Sequence, residues 1–337
     1  MKTKSDSLWR KIFSPKTAIG FLVSALGLYL GFRKFNGAEF LTSLEQTNLG
    51  IFGLAMVVMV LMVMIRAWRW KYLLYPIRDL RVKPVFEMEM IGFFGNNVFP
   101  FRLGEILRAY SMSKALQIPA GAVLGTIVVE RILDSLTFLV IMILGAIFFP
   151  KMPAWVRYSG AVSALIILIF GILIYISQLK REALKEYVKQ KMHMSTNTKI
   201  AKTINHFWQG ISTLRRTPHL GLIALQSALI WIICIVNTWI MGAALHFYFS
   251  LSALLLIFFV TSMIISVPSA PGYVGTYHAA TIGILVYLGL NLSNAQAVAV
   301  IMHAVGFIVL TAFGLVYFLK YQINVRDTSA IYSEKGV

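Results

Sequence analysis

From Thr217 the chain reads TPHLGLIALQSALIWIICIVNTWIMGAAL to Leu245, and the residues from Thr217 to Leu319, 103 in all, include no Asp, Glu, Lys or Arg. Soluble domains carry charge on roughly a quarter of their residues, so a run this long belongs in lipid. Breaks at His246 to Ser250, Pro268 to Gly275 and Asn291 to Asn294 divide it into four apolar segments. Working outward, further apolar runs cover Thr17 to Phe32, Leu49 to Ile65, Ala120 to Phe149 and Tyr158 to Leu179. Each approaches the roughly 20 residues needed to cross a hydrocarbon core. The expected fold class is therefore all-α, a polytopic membrane protein of about eight transmembrane helices with two re-entrant or broken helical elements. Residues 1–337 are read as one integral membrane domain.

Composition agrees. Of 337 residues 58% are hydrophobic and 13% charged, and mean hydropathy is +0.75. Lys and Arg number 31 against 13 Asp and Glu, a formal charge of +18. In a soluble chain that excess would suggest nucleic acid; here no nucleic-acid partner is expected, because basic connectors orient helices and meet anionic lipid. The single Cys234 excludes a disulfide framework and a thiolate metal site. The six His and four Asp form no H-E-x-x-H and no D-x-D, so neither a metal nor a cofactor is expected.

The first run follows Lys2, Lys4, Arg10, Lys11 and Lys16 and ends at Gly31-Phe32-Arg33-Lys34, bulky and basic where a signal peptide would carry small residues. It is read as an uncleaved span. With the N-terminus inside, the inner connectors hold 23 Lys and Arg and the outer ones 4. The positive-inside rule then gives a multi-pass protein of the cytoplasmic membrane with both termini cytoplasmic. The run from Leu49 ends at Arg66-Ala67-Trp68-Arg69-Trp70-Lys71, an aromatic and basic belt suited to a membrane interface. Residues 180–219 form a basic cytoplasmic connector. Within it Ile200, Ile204, Phe207, Ile211 and Leu214 recur at helical spacing, which fits a helix lying on the inner leaflet or one packed on the bundle.

Two interrupted segments carry the polar chemistry. Met88 to Ser113 is broken by Asn96, Asn97, Pro100, Arg102, Gly104, Glu105 and Arg108, and irregular backbone at membrane depth survives where protein buries it or a wet cavity meets it. Arg102, Glu105 and Arg108 stand at i, i+3, i+6. A helix beginning after Pro100 would aim its free N–H groups and positive dipole end at an anion such as a phosphate. An ordinary cytoplasmic loop is the plainer alternative. In the next apolar run Thr126, Glu130, Asp134 and Thr137 mark one helix face with Arg131 at its flank. Charges there are either an internal ion pair or part of a cavity. Arg131 and Asp134, at i, i+3, are expected to satisfy each other and leave Glu130 over for function. The second interruption, Ser266 to His278, holds Pro268, Pro271, Gly272 and Gly275. Its Pro271-x-x-x-Gly275 echoes Pro100-x-x-x-Gly104, the pattern of a transporter built from two halves. His278 and His303 are the candidates there for proton chemistry.

The ordered motifs Arg66-x-x-Arg69-Trp70-x-x-Leu73-Leu74, Asn97-x-x-Pro100-x-Arg102-x-Gly104-Glu105-x-x-Arg108-Ala109-Tyr110, Glu130-Arg131-x-x-Asp134 and Pro268-x-x-Pro271-Gly272-Tyr273-Val274-Gly275 together resemble the UPF0104 family. Its better-known members are the lysylphosphatidylglycerol synthase transmembrane regions, the flippase-like part of multiple peptide resistance factor proteins. The resemblance implies a flippase-like helical fold acting on a lipid with a phosphate-containing headgroup. Two departures stand out. The chain ends at Val337 without the soluble aminoacyl-transferase domain of the synthases, so aminoacyl-lipid synthesis is not expected. It also has His278 where many members carry Glu.

The expected function is thus a flippase or scramblase for a phospholipid or a polyprenyl-phosphate-linked carrier, a transporter rather than an enzyme. Its partner would be a membrane lipid with an anionic headgroup or, as the second possibility, a zwitterionic one, and assembly into a homo-oligomer is left open. Arg102 and Arg108 would grip the phosphate, with Glu105, Glu130, Arg131 and Asp134 around them. The Pro271 to Gly275 break would supply the moving or wetted wall, and Asn97, Pro271, Gly272, Gly275 and His278 complete the expected substrate-binding residues. The alternatives are an intramembrane lipid-modifying transferase using Glu105 or Glu130 as base, and a non-catalytic scaffold.

Overall fold

A computed structural model of the chain describes residues 15–99, 103–148, 153–179, 199–265 and 269–323. Among them are α-helices and one 3-10 turn, with no strand. The helices are α1 (Pro15–Phe32), α2 (Gly37–Glu45), α3 (Leu49–Leu74), α4 (Val82–Val98), α5 (Gly104–Leu116), α6 (Ala120–Phe148) and α7 (Ala154–Leu179). They continue as α8 (Lys199–Ile211), α9 (Thr213–Arg216), α10 (Leu220–Ala243), α11 (Leu251–Ile265), α12 (Thr276–Tyr287) and α13 (Leu292–Lys320). The protein is an all-α polytopic membrane protein. Among the described residues α3, α10 and α13 are long and apolar enough to cross a membrane by length and composition. At 29 and 26 residues, α6 and α7 match them in length.

The charge-free stretch resolves into helices of 24, 15, 12 and 29 residues. At 1.5 Å per residue the middle two reach about 22 and 18 Å, short of a hydrocarbon core near 30 Å. They flank the proline and glycine break as half-length pieces. Likewise the interrupted segment of the first half is a pair of helices, α4 and α5, on either side of residues 99–103.

The chain forms two compact units. One takes residues 1–63, 90–104 and 232–318, the other 64–89, 105–231 and 319–337. In the first, a stripe of small residues on α1, Gly20, Ser24, Gly27 and Gly31, lies along the break before α12. The Ser24 hydroxyl accepts the Ala270 N–H at 2.9 Å, and a Cβ on Gly27 would stand 2.8 Å from the Gly275 carbonyl. Gly275 itself has φ +93° and faces the Ser24 carbonyl so closely that a side chain has no room. Gly104, its counterpart in the sequence echo, is equally tight. Its Cβ would run into the Gly92 carbonyl, and its N–H donates to Asn96 Oδ1 at 3.0 Å. Both glycines permit backbone contact that any larger residue would prevent.

In the second unit the connector helix α8 lies against α6. A Cβ on Gly125 would strike the Phe207 carbonyl, and one on Gly210 the Ala122 carbonyl. Close backbone approach through small residues is how helices associate where lipid supplies no hydrophobic drive. Of the two placements open for this helix, packing on the bundle is the one adopted, with Gly210 and the stripe residues Phe207 and Ile211 against Gly125. The remainder of the connector before Lys199 lies outside the described residues.

Candidate functional site

The second unit gathers its charges in one place. On α3, Arg66, Arg69 and Trp70 share a face at i, i+3, i+4; α4 contributes Glu87 and Glu89, α5 Glu105 and Arg108, and α6 Thr126, Glu130, Arg131 and Asp134. Glu130 stands ten residues into α6, about 15 Å along its axis from Ala120.

Glu130 is the hub. Its Oε1 accepts from Arg66 Nη2 and from Arg131 Nη2, each at 2.7 Å, and lies 3.4 Å from Arg69 Nη2. Its Oε2 accepts from Arg108 Nη2. Asp134 takes Arg69 Nη2 at 2.7 Å on Oδ1, and Arg66 and Arg131 at 3.3 and 3.2 Å on Oδ2. Glu89 holds Arg66 Nε at 3.2 Å and Arg108 Nη1 at 2.6 Å. Arg69 also donates to Ser227 Oγ on α10 at 3.0 Å. Trp70 closes one side: its indole N–H donates to Thr126 Oγ1 at 3.0 Å, and the Arg108 guanidinium lies 3.6 Å over its ring.

Four arginines thus meet four carboxylates, Glu105 being the fourth, so the cluster is formally neutral. Six of its members, Arg66, Arg69, Glu89, Arg108, Glu130 and Asp134, are buried. Two sit at a rim: the Arg131 side chain is 38% exposed and that of Glu105 25%, with Arg131 Nη1 4.0 Å from Glu105 Oε1. A buried charge is tolerable only when paired and hydrogen-bonded, and the network meets that condition almost entirely from within.

This changes the roles expected of several residues. Glu130 is not left over beside an Arg131–Asp134 pair; it is the most heavily paired acid, because arginines from three other positions converge on it. Arg108, expected to grip a phosphate, is buried with both Nη atoms on Glu89 and Glu130 and its guanidinium over Trp70. Arg102 lies outside the described residues. Glu105, Arg108, Glu130, Arg131 and Asp134 come together, whereas Asn97, Pro271, Gly272, Gly275 and His278 belong to the other unit. There Asn97 donates to Thr311 Oγ1 at 3.0 Å, and His303 Nε2 donates to the Gly272 carbonyl at 2.7 Å. His278 Nδ1 accepts from the Gly275 N–H at 3.4 Å, and its ring centre is 4.7 Å from that of His303.

Sequence reasoning passed over Glu87 and Glu89. The signal was present in Phe86-Glu87-Met88-Glu89-Met90, two acids flanked by apolar side chains. Glu87 is buried and fixes the end of α13, accepting from Lys320 Nζ at 2.8 Å and Tyr321 Oη at 2.5 Å. Arg66 and Arg69 were legible as a motif, but as an interface belt rather than the centre of a network. Among the described residues no group of three or more His, Cys, Asp or Glu is arranged to hold a metal ion.

Residues 17–314 match the family model described as the lysylphosphatidylglycerol synthase TM region. A UPF0104 membrane protein of Methanocaldococcus jannaschii is 27% identical over 330 residues, 92% of this chain and 96% of the relative. Two UPF0104 membrane proteins of Methanothermobacter thermautotrophicus are 23% and 22% identical. The first match covers 70% of this chain and 75% of the relative, the second 96% of each. No solved structure matches the chain.

Proposed function

The chain belongs to the lysylphosphatidylglycerol synthase TM-region family of UPF0104 membrane proteins, and from that premise we propose that it carries a lipid with a phosphate-containing headgroup across the membrane. The observation that carries the proposal is the buried network of four arginines and four carboxylates on α3, α4, α5 and α6, of which α3 and α6 have membrane-spanning length, with Arg131 and Glu105 at its accessible rim. A structural core has no need of ions at membrane depth, where each costs about 2.5 to 3.5 kcal/mol on insertion scales, and an apolar core would hold the helices at least as well. A polar headgroup crossing the same apolar region does need them, as a path on which water can be given up for fixed partners.

In this scheme the protein sits in the cytoplasmic membrane with both termini inside, and Arg131 is the first cation the phosphate meets. The polar path is static at its core, since Arg66, Arg69, Glu89 and Glu130 hold one another. Exchange of partners occurs at the rim, where the Arg131–Glu105 pair is long and its side chains are half-buried.

Reconstitution tests the proposal. Acyl-chain-labelled phospholipids in vesicles containing the full chain should become accessible to an impermeant quencher faster than in protein-free vesicles. Arg131→Gln should lower that rate about ten-fold or more, read on protein confirmed to be folded, because losing its pairs to Glu130 and Asp134 also lowers the melting temperature. Lipid movement no faster than in empty vesicles would overturn the reading.

A further inference from the structure

We infer that the headgroup this site accepts is net neutral, a phosphate joined to a primary ammonium, with the phosphate against Arg131 and the ammonium against Glu105. The inference rests on the translocation reading above and narrows its substrate. Of the anionic and zwitterionic lipids expected from the sequence, it takes the zwitterionic.

Three observations lead to it. Among the described residues the network's charges balance, four arginines against four carboxylates, so these hold no surplus cation for an anionic lipid. A phosphate entering alone would leave one uncompensated negative charge among buried groups, whereas a zwitterion keeps the sum at zero. Second, the Arg131–Glu105 contact is the longest ion pair of the network at 4.0 Å and joins its two most exposed side chains. It is the pair a ligand opens at least cost. Third, these two residues present matched vacancies. Arg131 Nε and Glu105 Oε2 are both buried, and neither has a hydrogen-bond partner among the described residues; Arg69 Nε and Arg108 Nε share that state deeper in the network, but the rim pair offers a donor and an acceptor together. One is a donor and the other an acceptor. A phosphate oxygen satisfies the first and an ammonium N–H the second, while a quaternary ammonium has no N–H to offer. Buried polar atoms are ordinarily partnered, so two orphans of opposite kind on the rim pair call for a ligand of both kinds.

The test uses the full chain with three acyl-chain-labelled probes: phosphatidylethanolamine, phosphatidylcholine and phosphatidylglycerol. Retention on the purified protein in detergent is read by native mass spectrometry, and movement is read in phosphatidylcholine vesicles. Wild type should favour phosphatidylethanolamine over phosphatidylglycerol by about ten-fold or more in both readouts, with phosphatidylcholine below phosphatidylethanolamine. Glu105→Gln leaves one surplus positive charge and should invert the order to favour phosphatidylglycerol. Arg131→Gln leaves one surplus negative charge and should instead raise retention of a cationic probe, dioleoyl-trimethylammonium-propane. Each variant checks the other if one fails to fold. Preference for phosphatidylglycerol in wild type, or an order that neither variant shifts, overturns the headgroup assignment while leaving translocation intact. Vesicles in which no lipid outpaces the protein-free control overturn translocation, and the retention order then decides the headgroup by itself.

Discussion

The guanidinium of Arg108 lies 3.6 Å over the ring of Trp70 while its two Nη atoms bridge Glu89 on α4 and Glu130 on α6. One planar cation therefore joins helices α3, α4 and α6 through three different contacts. Lysine cannot do this: its ammonium is a compact charge that neither forks between two carboxylates nor stacks flat on indole. Arg108→Lys keeps the charge balance and should still lose about 1–3 kcal/mol of stability. Thermal unfolding of the detergent-solubilised variant checks it; an unchanged melting temperature would mean that charge alone holds these helices.

Glu130 balances more of the network than any other acid. Glu130→Gln leaves an extra positive charge among Arg66, Arg69, Arg108 and Arg131, and breaking a buried pair from one side costs about 3–5 kcal/mol. Removing Arg131 as well restores neutrality, so the double variant Glu130→Gln with Arg131→Gln should recover part of the loss. Melting temperatures of the two variants decide it. A double variant less stable than the single one would show that Arg131 stabilises the helices by packing rather than by charge.

Much of this was legible in the sequence, and the reason differs from part to part. Helices and their breaks follow from composition, because an uncharged run from Thr217 to Leu319 has few options in water and Pro271 with Gly272 and Gly275 has few options inside a helix. The face carrying Thr126, Glu130 and Asp134 follows from helical periodicity within α6. The partners of those residues do not follow from it. Arg66 and Glu89 are far from Glu130 in sequence, and which arginine serves which acid is fixed only when four helices meet. Local spacing therefore favoured the neighbouring pair Arg131–Asp134, which does form at 3.2 Å, and missed the distant arginines that make Glu130 the centre. The apolar stripe of α8 was visible, but the backbone contacts of Gly125 and Gly210 that seat it depend on α6.

Two glycines of the first unit should respond in opposite ways. Gly275 has φ +93° and abuts the Ser24 carbonyl, whereas Gly283, inside α12, has nothing within 4 Å of a would-be Cβ. Gly275→Ala adds both backbone strain and a clash with α1 and should cost about 2–4 kcal/mol. Gly283→Ala only improves helix propensity and should gain about 0.5–1 kcal/mol. Unfolding of the pair under identical conditions is the check. A Gly275→Ala protein as stable as wild type would release α1 from its assigned role as a clamp on the break.

Orientation is open to a direct chemical test. The 23 basic residues of the connectors assigned to the inside against 4 outside are a strong asymmetry, since Lys and Arg near span ends resist translocation. Lys202 on α8 and Tyr158 on α7 are both exposed, and they fall in segments expected on opposite sides. Neither belongs to the charge network, so a cysteine at either position should leave the fold intact. In a Cys234→Ala background, Tyr158→Cys should react with an impermeant maleimide in intact cells. Lys202→Cys should react only after permeabilisation, because its helix packs on the N-terminal part of α6, which the basic asymmetry assigns to the inside. The reverse labelling pattern would invert the topology and transfer the Arg131–Glu105 rim to the outer leaflet's supply of lipid. Equal labelling of both sites in intact cells would mean that the basic connectors do not fix one orientation.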